Sequence, residues 1–189
     1  MQTRVPTPDS YRKETSFPSA LLKYARSKSS ALRFERANAP GTTHQSIVLK
    51  MAAALLQYVE AENLGHVLHA TSDVFLSRET IIRPDILFVK KDRVGIIGQN
   101  YLCGLPDLVI EVLPHRHRTS DFHTKKNICS CYGVQEFWAV DFARQNVETL
   151  FWCELGYVSG GSYSKSDRLS SPQLPNLNLP LSRIFDKYS

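Results

Sequence analysis

Apolar positions at Ile47, Leu49, Ala52, Leu55, Leu56 and Val59 recur every three to four residues, the period of a helix with one buried face. Thr42 and Gln45 form a candidate capping box ahead of them, so a helix is expected from there to about Asn63, with Gly65 as its stop. Further on the period shortens. Residues 67–77 and 81–89 are apolar and β-branched runs, read as two strands joined around Arg78 and Glu79. Pro84 removes a ladder donor from the second run, which predicts a sheet edge or bulge that aims Asp85. Residues 90–104 read as a loop.

The next run, Leu108 to Leu113, is aliphatic at every position except Glu111, the pattern of a strand buried on both faces with one acid set into it. An ionised carboxylate among apolar neighbours is too costly to stand alone, so Glu111 calls for a metal ion, a lysine or an arginine. The plainest answer is a structural ion pair. After Pro114 and the basic turn His115-Arg116-His117-Arg118, residues 121–132 have helical character, with Ser120 as candidate cap and Gly133 as stop. Residues 136–141 and 147–153 read as strands about a turn, and Gly156 and Gly160-Gly161 as the punctuation of one more hairpin. A short amphipathic turn through Leu181, Ile184 and Phe185 closes the chain. Near the start, residues 17–25 suggest a short helix and residues 32–35 a short strand carrying Glu35.

Composition narrows the class. With 189 residues, 42% of them hydrophobic, the chain can fill one sizeable core, so a single domain over residues 16–189 is expected behind a flexible leader, residues 1–15. No run of about eighteen apolar residues appears and the N-terminus has no apolar signal region, so neither a membrane span nor secretion is expected; the cytoplasm is the expected location. Four cysteines in a domain of this size fit reduced thiols better than a disulfide framework. A formal net charge of +5 favours polyanionic partners without naming one.

Strand geometry sorts the candidate acids. Asp107 and Glu111 share a face but stand roughly 13 Å apart at about 3.3 Å per residue, too far for one ion. A partner for Glu111 must come from a neighbouring strand, where opposed Cβ atoms are about 5 Å apart, and Asp85 is the leading candidate. Lys125 follows Glu111 on a helix that packs back on the sheet, and its stem is long enough to reach it. It could equally form an exposed pair with Asp121, four residues earlier. His44, in the first turn of the long helix, is a candidate to line the site and otherwise an exposed polar residue.

Arg83-Pro84-Asp85, residues 106–113, Asp121, Lys125 and the run Gly133-Val134-Gln135-Glu136-Phe137-Trp138-Ala139-Val140-Asp141 together resemble the Uma-two restriction endonuclease family, a cyanobacteria-rich branch of the PD-(D/E)XK nuclease superfamily. The likeness spans about residues 14–187, from Phe34-Glu35 and His44-Gln45 to Ile184-Phe185. It implies an α/β, restriction-endonuclease-like core with a mixed central sheet flanked by helices. It also implies magnesium or manganese held by Asp85 and Glu111, with Glu35 as a third acid. In the wider superfamily the lysine stands two residues after the second acid, where this chain has Leu113; Lys125 matches the family's relocated lysine, with Lys126 beside it as alternative. Asp107, His44 and Lys126 are supporting candidates. Cys129 stands where the family has tyrosine, and the turn at 114–117 departs from a small polar one.

These residue types suit phosphodiester hydrolysis: carboxylates hold a hard cation that lowers the pKa of a bound water, and a lysine orients that water or offsets charge on the phosphate. DNA is then the expected partner, with Arg116 and Arg118 on its backbone. A homodimer would supply the second cut of a duplex. The competing reading is a catalytically idle nuclease fold that binds DNA or a partner protein. A third, zinc held by His115, His117, His123, Cys129 and Cys131, lacks a common structural-zinc spacing.

Overall fold

The computed structural model describes residues 41–69, 73–113 and 120–186. The expected helix at 17–25, the strand carrying Glu35 and the turn carrying Arg116 and Arg118 lie outside these residues. In chain order the elements are α1 (Thr42–Ala61), β1 (Gly65–His69), β2 (Asp73–Phe75), β3 (Ile81–Ile82), β4 (Ile86–Lys90), a 3-10 helix (Lys91–Ile96), β5 (Tyr101–Cys103) and β6 (Leu108–Leu113). They continue with α2 (Ser120–Tyr132), β7 (Glu136–Asp141), β8 (Asn146–Cys153), β9 (Gly156–Ser164), β10 (Arg168–Leu169), β11 (Leu179–Pro180) and α3 (Ser182–Phe185).

A six-stranded mixed sheet in the order β1-β4-β6-β7-β8-β9 forms the centre. β6 and β7 run parallel, joined by the crossover helix α2, and the other neighbours are antiparallel. The alternation read in β6 splits its side chains as expected. Leu108, Ile110 and Val112 join Ile86, Phe88, Trp138 and Val140 beneath α1 and α3, whereas Val109 and Leu113 join Leu87, Val89, Phe137 and Ala139 beneath α2. Every β6 residue is buried. Each fully buried large apolar side chain contributes roughly 1.5–3 kcal/mol, so this two-sided strand is the natural rigid mount for a polar group at its end.

Several boundaries differ from the sequence reading. The runs at 67–77 and 81–89 make four strands rather than two, because β2 and β3 leave the main sheet and form a second one, ordered β3-β2-β5, with β2 and β5 parallel. Residues 90–104 hold the 3-10 helix and β5 rather than a plain loop; their pairing is with distant β2, which local periodicity does not reveal. β4 is an interior strand, and Pro84 precedes it instead of sitting in a sheet edge. Asn63, at φ 53, takes the left-handed position that ends α1, and Leu64 donates its N–H to the Val59 carbonyl. Gly65 serves β1: a Cβ there would come within 2.1 Å of the Val89 carbonyl oxygen. Gly160 is not a turn residue but the extra residue of a bulge between Thr149 and Leu150 in the β8–β9 pair.

Candidate functional site

The last pairs of the β4–β6 ladder include Ile86 with Ile110, so Asp85 lies one step beyond the ladder and abreast of Glu111. Its Oδ2 accepts the Val112 N–H at 2.8 Å, which fixes the carboxylate over the end of β6. His44, in the first turn of α1, brings Nε2 to 3.3 Å from the same oxygen. From the other side α2 packs Phe122 and Cys129 into the core, and Lys125 lies between them along the helix. Its Nζ is 3.1 Å from Glu111 Oε2, 3.3 Å from Asp121 Oδ2 and 3.0 Å from the Arg83 carbonyl. The two readings of Lys125 are therefore not alternatives: one ammonium serves both acids. Lys126, one step round the helix, is half-buried and makes no such bond to Glu111.

The charge balance of this cluster is uneven. Burial pushes Glu111 up to about 8, and Asp85 adds to the shift while Lys125 opposes it. His44 is raised chiefly by its hydrogen bond to Asp85, against burial. Burial works against the charge on Lys125, yet Glu111, Asp121 and Asp85 together hold its pKa above the ordinary value. The neighbouring carboxylates thus hold His44 and Lys125 above their ordinary values, whereas Glu111 is raised first by its own burial and only then by Asp85. Cys129, beneath them, is pushed up to about 12, by burial first and Glu111 second, so its thiol is an inert packing group.

A divalent cation fits what is left unsatisfied. Among the described residues Glu111 Oε1 is buried without a hydrogen-bond partner, an acceptor with nothing to accept from. Asp85 and Glu111 present hard oxygens at one strand end, and a cation between them would offset their mutual repulsion and the cost of burying Glu111 as a carboxylate. Among the described residues no three of His, Cys, Asp and Glu converge as a ready metal cage, so these two acids would leave most positions to water, as magnesium favours. Zinc finds less support: Cys129 is buried and Cys131 exposed on α2, and His123 is exposed.

The other candidate positions separate. Asp107 is buried just ahead of β6, at the end away from Glu111, where its carboxylate accepts from Arg93 Nη1 at 2.6 Å and from the Lys90 N–H at 2.9 Å. Arg93 also donates to the Leu105 carbonyl, so this ion pair ties the 3-10 helix to the sheet. Glu35, Arg116 and Arg118 lie outside the described residues. The Arg83 carbonyl on Lys125 had no sequence signal, since backbone acceptors carry none. Arg93 was legible in principle as the cation that buried Asp107 required.

The Uma2 family model, described as "Putative restriction endonuclease", matches residues 33–182. A solved structure, described as "a putative nuclease belonging to DUF820 from Anabaena variabilis ATCC 29413", shares the fold with a TM-score of 0.62 at 16% identity, over 77% of this chain and 82% of that one. No curated protein matches the chain. With the family model covering most of its length, the chain belongs to the Uma2 family.

Proposed function

We propose that the protein is a metal-dependent deoxyribonuclease that hydrolyses phosphodiester bonds, with Asp85 and Glu111 holding magnesium or manganese. The observation that carries this reading is Glu111: a buried carboxylate with one oxygen unpartnered among the described residues, beside Asp85 and Lys125. Bound there, the cation would supply a water of lowered pKa and neutralise a phosphate oxygen. Asp85 is held for that task by the Val112 N–H, and His44 keeps its carboxylate turned toward the site. Lys125, anchored on the Arg83 carbonyl and Asp121, directs its ammonium at the reacting end of Glu111, where it orients the attacking water or offsets charge developing on the phosphate. Water then adds to phosphorus, the P–O bond to one sugar oxygen breaks, and that oxygen takes up a proton. Glu35 would complete the acids, and Arg116 and Arg118 would contact the DNA backbone. A homodimer would cut both strands, and a monomer in sedimentation, free and DNA-bound, would refute that arrangement.

A second reading, an idle fold that binds DNA or a protein, draws on the internal pairing of both acids, Asp85 with His44 and Glu111 with Lys125. Magnesium and manganese calorimetry on wild type, Asp85→Ala and Glu111→Ala, beside plasmid nicking, separates the two. Metal binding lost in both variants, with nicking by wild type alone, is the expected result. Absence of metal binding by wild type returns Glu111 to a structural ion pair and refutes the proposal.

A further inference from the structure

The end of the sheet that carries the acids continues beyond them. Pairing across the strands sets Glu111 beside Ala139, Ala139 beside Glu148 and Glu148 beside Ser162. The next equivalent row runs from Leu113 through Asp141 and Asn146 to Ser164. Past that row the β7–β8 turn, the end of β9 and the start of α3 enclose an open cavity of about 410 Å³, lined by Arg144, Gln145, Ser164, Lys165, Ser166 and Ser182. The lining holds two cations, three hydroxyls and an amide, and no acid. Three strand spacings of about 4.8 Å separate β6 from β9, and two residues at about 3.3 Å separate the Glu111 row from the next, so the cavity opens about 16 Å or more from Glu111 along one sheet end.

The acids nearby are bound only loosely to its cations or are held by other donors. Arg144, with a side chain 79% exposed, makes a long 3.8 Å contact to Asp141. Lys165 meets Asp186, itself 62% exposed, at 2.8 Å, a surface pair of small worth that a phosphate can replace. Asp167 is occupied by the N–H and hydroxyl of Ser164, both at 2.7 Å. Lys50 reaches the Asp186 backbone carbonyl from α1, bringing a third cation to the margin.

We propose that the cavity between Arg144, Lys165 and Ser182 is a backbone-phosphate subsite that seats the DNA strand to one side of the phosphate being cleaved. The proposal rests on the nuclease reading. It adds what that reading lacks, a described element that fixes where the strand lies. Charges on one DNA strand recur every ~3.4 Å of helix axis, so a single strand passing over the acids carries several phosphates over the distance to the cavity. Guanidinium, ammonium and hydroxyl donors are the groups that hold such oxygens without reading bases.

The test is fluorescence-anisotropy binding of a short labelled DNA duplex across a salt series. It uses wild type, Arg144→Ala/Lys165→Ala and the charge-preserving Arg144→Lys/Lys165→Arg, with thermal melting to check folding of each. Hydrolysis of bis(p-nitrophenyl) phosphate, too small to span both places, is measured alongside. The alanine pair is expected to weaken binding about tenfold and flatten the salt slope by about 0.9 per phosphate lost. It is expected to spare the small substrate, while the charge-preserving pair retains most of the affinity. Equal affinity and slope in wild type and the alanine pair overturn the subsite while leaving the nuclease reading intact. If wild type neither binds the duplex nor hydrolyses either substrate, the nuclease reading falls and takes the subsite with it. Calorimetric binding of inorganic phosphate by wild type, without a change in DNA slope in the alanine pair, assigns the cavity to a free anion and also overturns the proposal.

Discussion

Replacing Glu111 by glutamine keeps the shape of the side chain and removes its charge, which isolates the electrostatic cost of placing an acid in this strand. The Glu111 side chain is only 8% exposed, and burial raises its carboxyl from 4.5 to about 8. A proton is therefore held by the folded protein over a range in which the unfolded chain has released it. Stability falls as pH rises through that window, by about 1.4 kcal/mol per unit, or roughly 5 kcal/mol in all. In chelator, wild type should lose several kcal/mol between about pH 5 and about pH 9 that Glu111→Gln keeps. Lys125 retains Asp121 and the Arg83 carbonyl in the variant, so its ammonium is not stranded. Denaturant unfolding followed by tryptophan fluorescence gives both curves. Added magnesium should restore wild type at high pH and leave the variant unmoved. Parallel pH dependences for the two proteins, within about 1 kcal/mol, would show that Glu111 is not the strained group and sink the reasoning.

Lys125→Met should preserve metal binding in calorimetry and lower the cleavage rate by about a hundredfold, as for a lost transition-state donor; an unchanged rate would remove Lys125 from the chemistry. Arg93→Ala leaves Asp107 buried opposite the Lys90 N–H alone and should cost about 3 kcal/mol in denaturant unfolding, with metal binding intact. Gly160→Ala places a Cβ within 2.5 Å of the Phe151 ring and 2.8 Å of Thr149 Oγ1, so a loss of about 1–3 kcal/mol is expected by the same measurement.

Elements whose neighbours in space are also neighbours in sequence were the legible ones. The spacing of Ile47, Ala52, Leu55 and Val59 gave α1, and the unbroken run from Leu108 to Leu113 gave a strand covered on both sides. β5 carries no local pattern of its own because its order comes from Val74 and Phe75, far upstream. Glycine misled twice, at 65 and 160, because a turn, a bulge and a close backbone approach all select the same residue. For the candidate site, the rise along the strand separated Asp107 from Glu111, and cross-strand spacing pointed to Asp85. The reach of Lys125 followed from the crossover helix and from family likeness. The cavity at Arg144, Lys165 and Ser182 was invisible, since it is assembled from three segments that share no motif.

The lysine rides on α2 instead of following the acid along β6, and this leaves Leu113 free to fill the core at 4% exposure. In the proposed site, metal ligation and water activation would thus be mounted on separate supports, one a strand locked between two sheet neighbours, the other a helix resting on one face. A small rotation of α2 would withdraw the ammonium without disturbing the register of Asp85 and Glu111. An enzyme of the proposed kind would therefore fail in halves, losing turnover while its grip on the cation survives. The lesions that do so are to be sought under the helix, at Phe122 and Cys129, rather than among the acids.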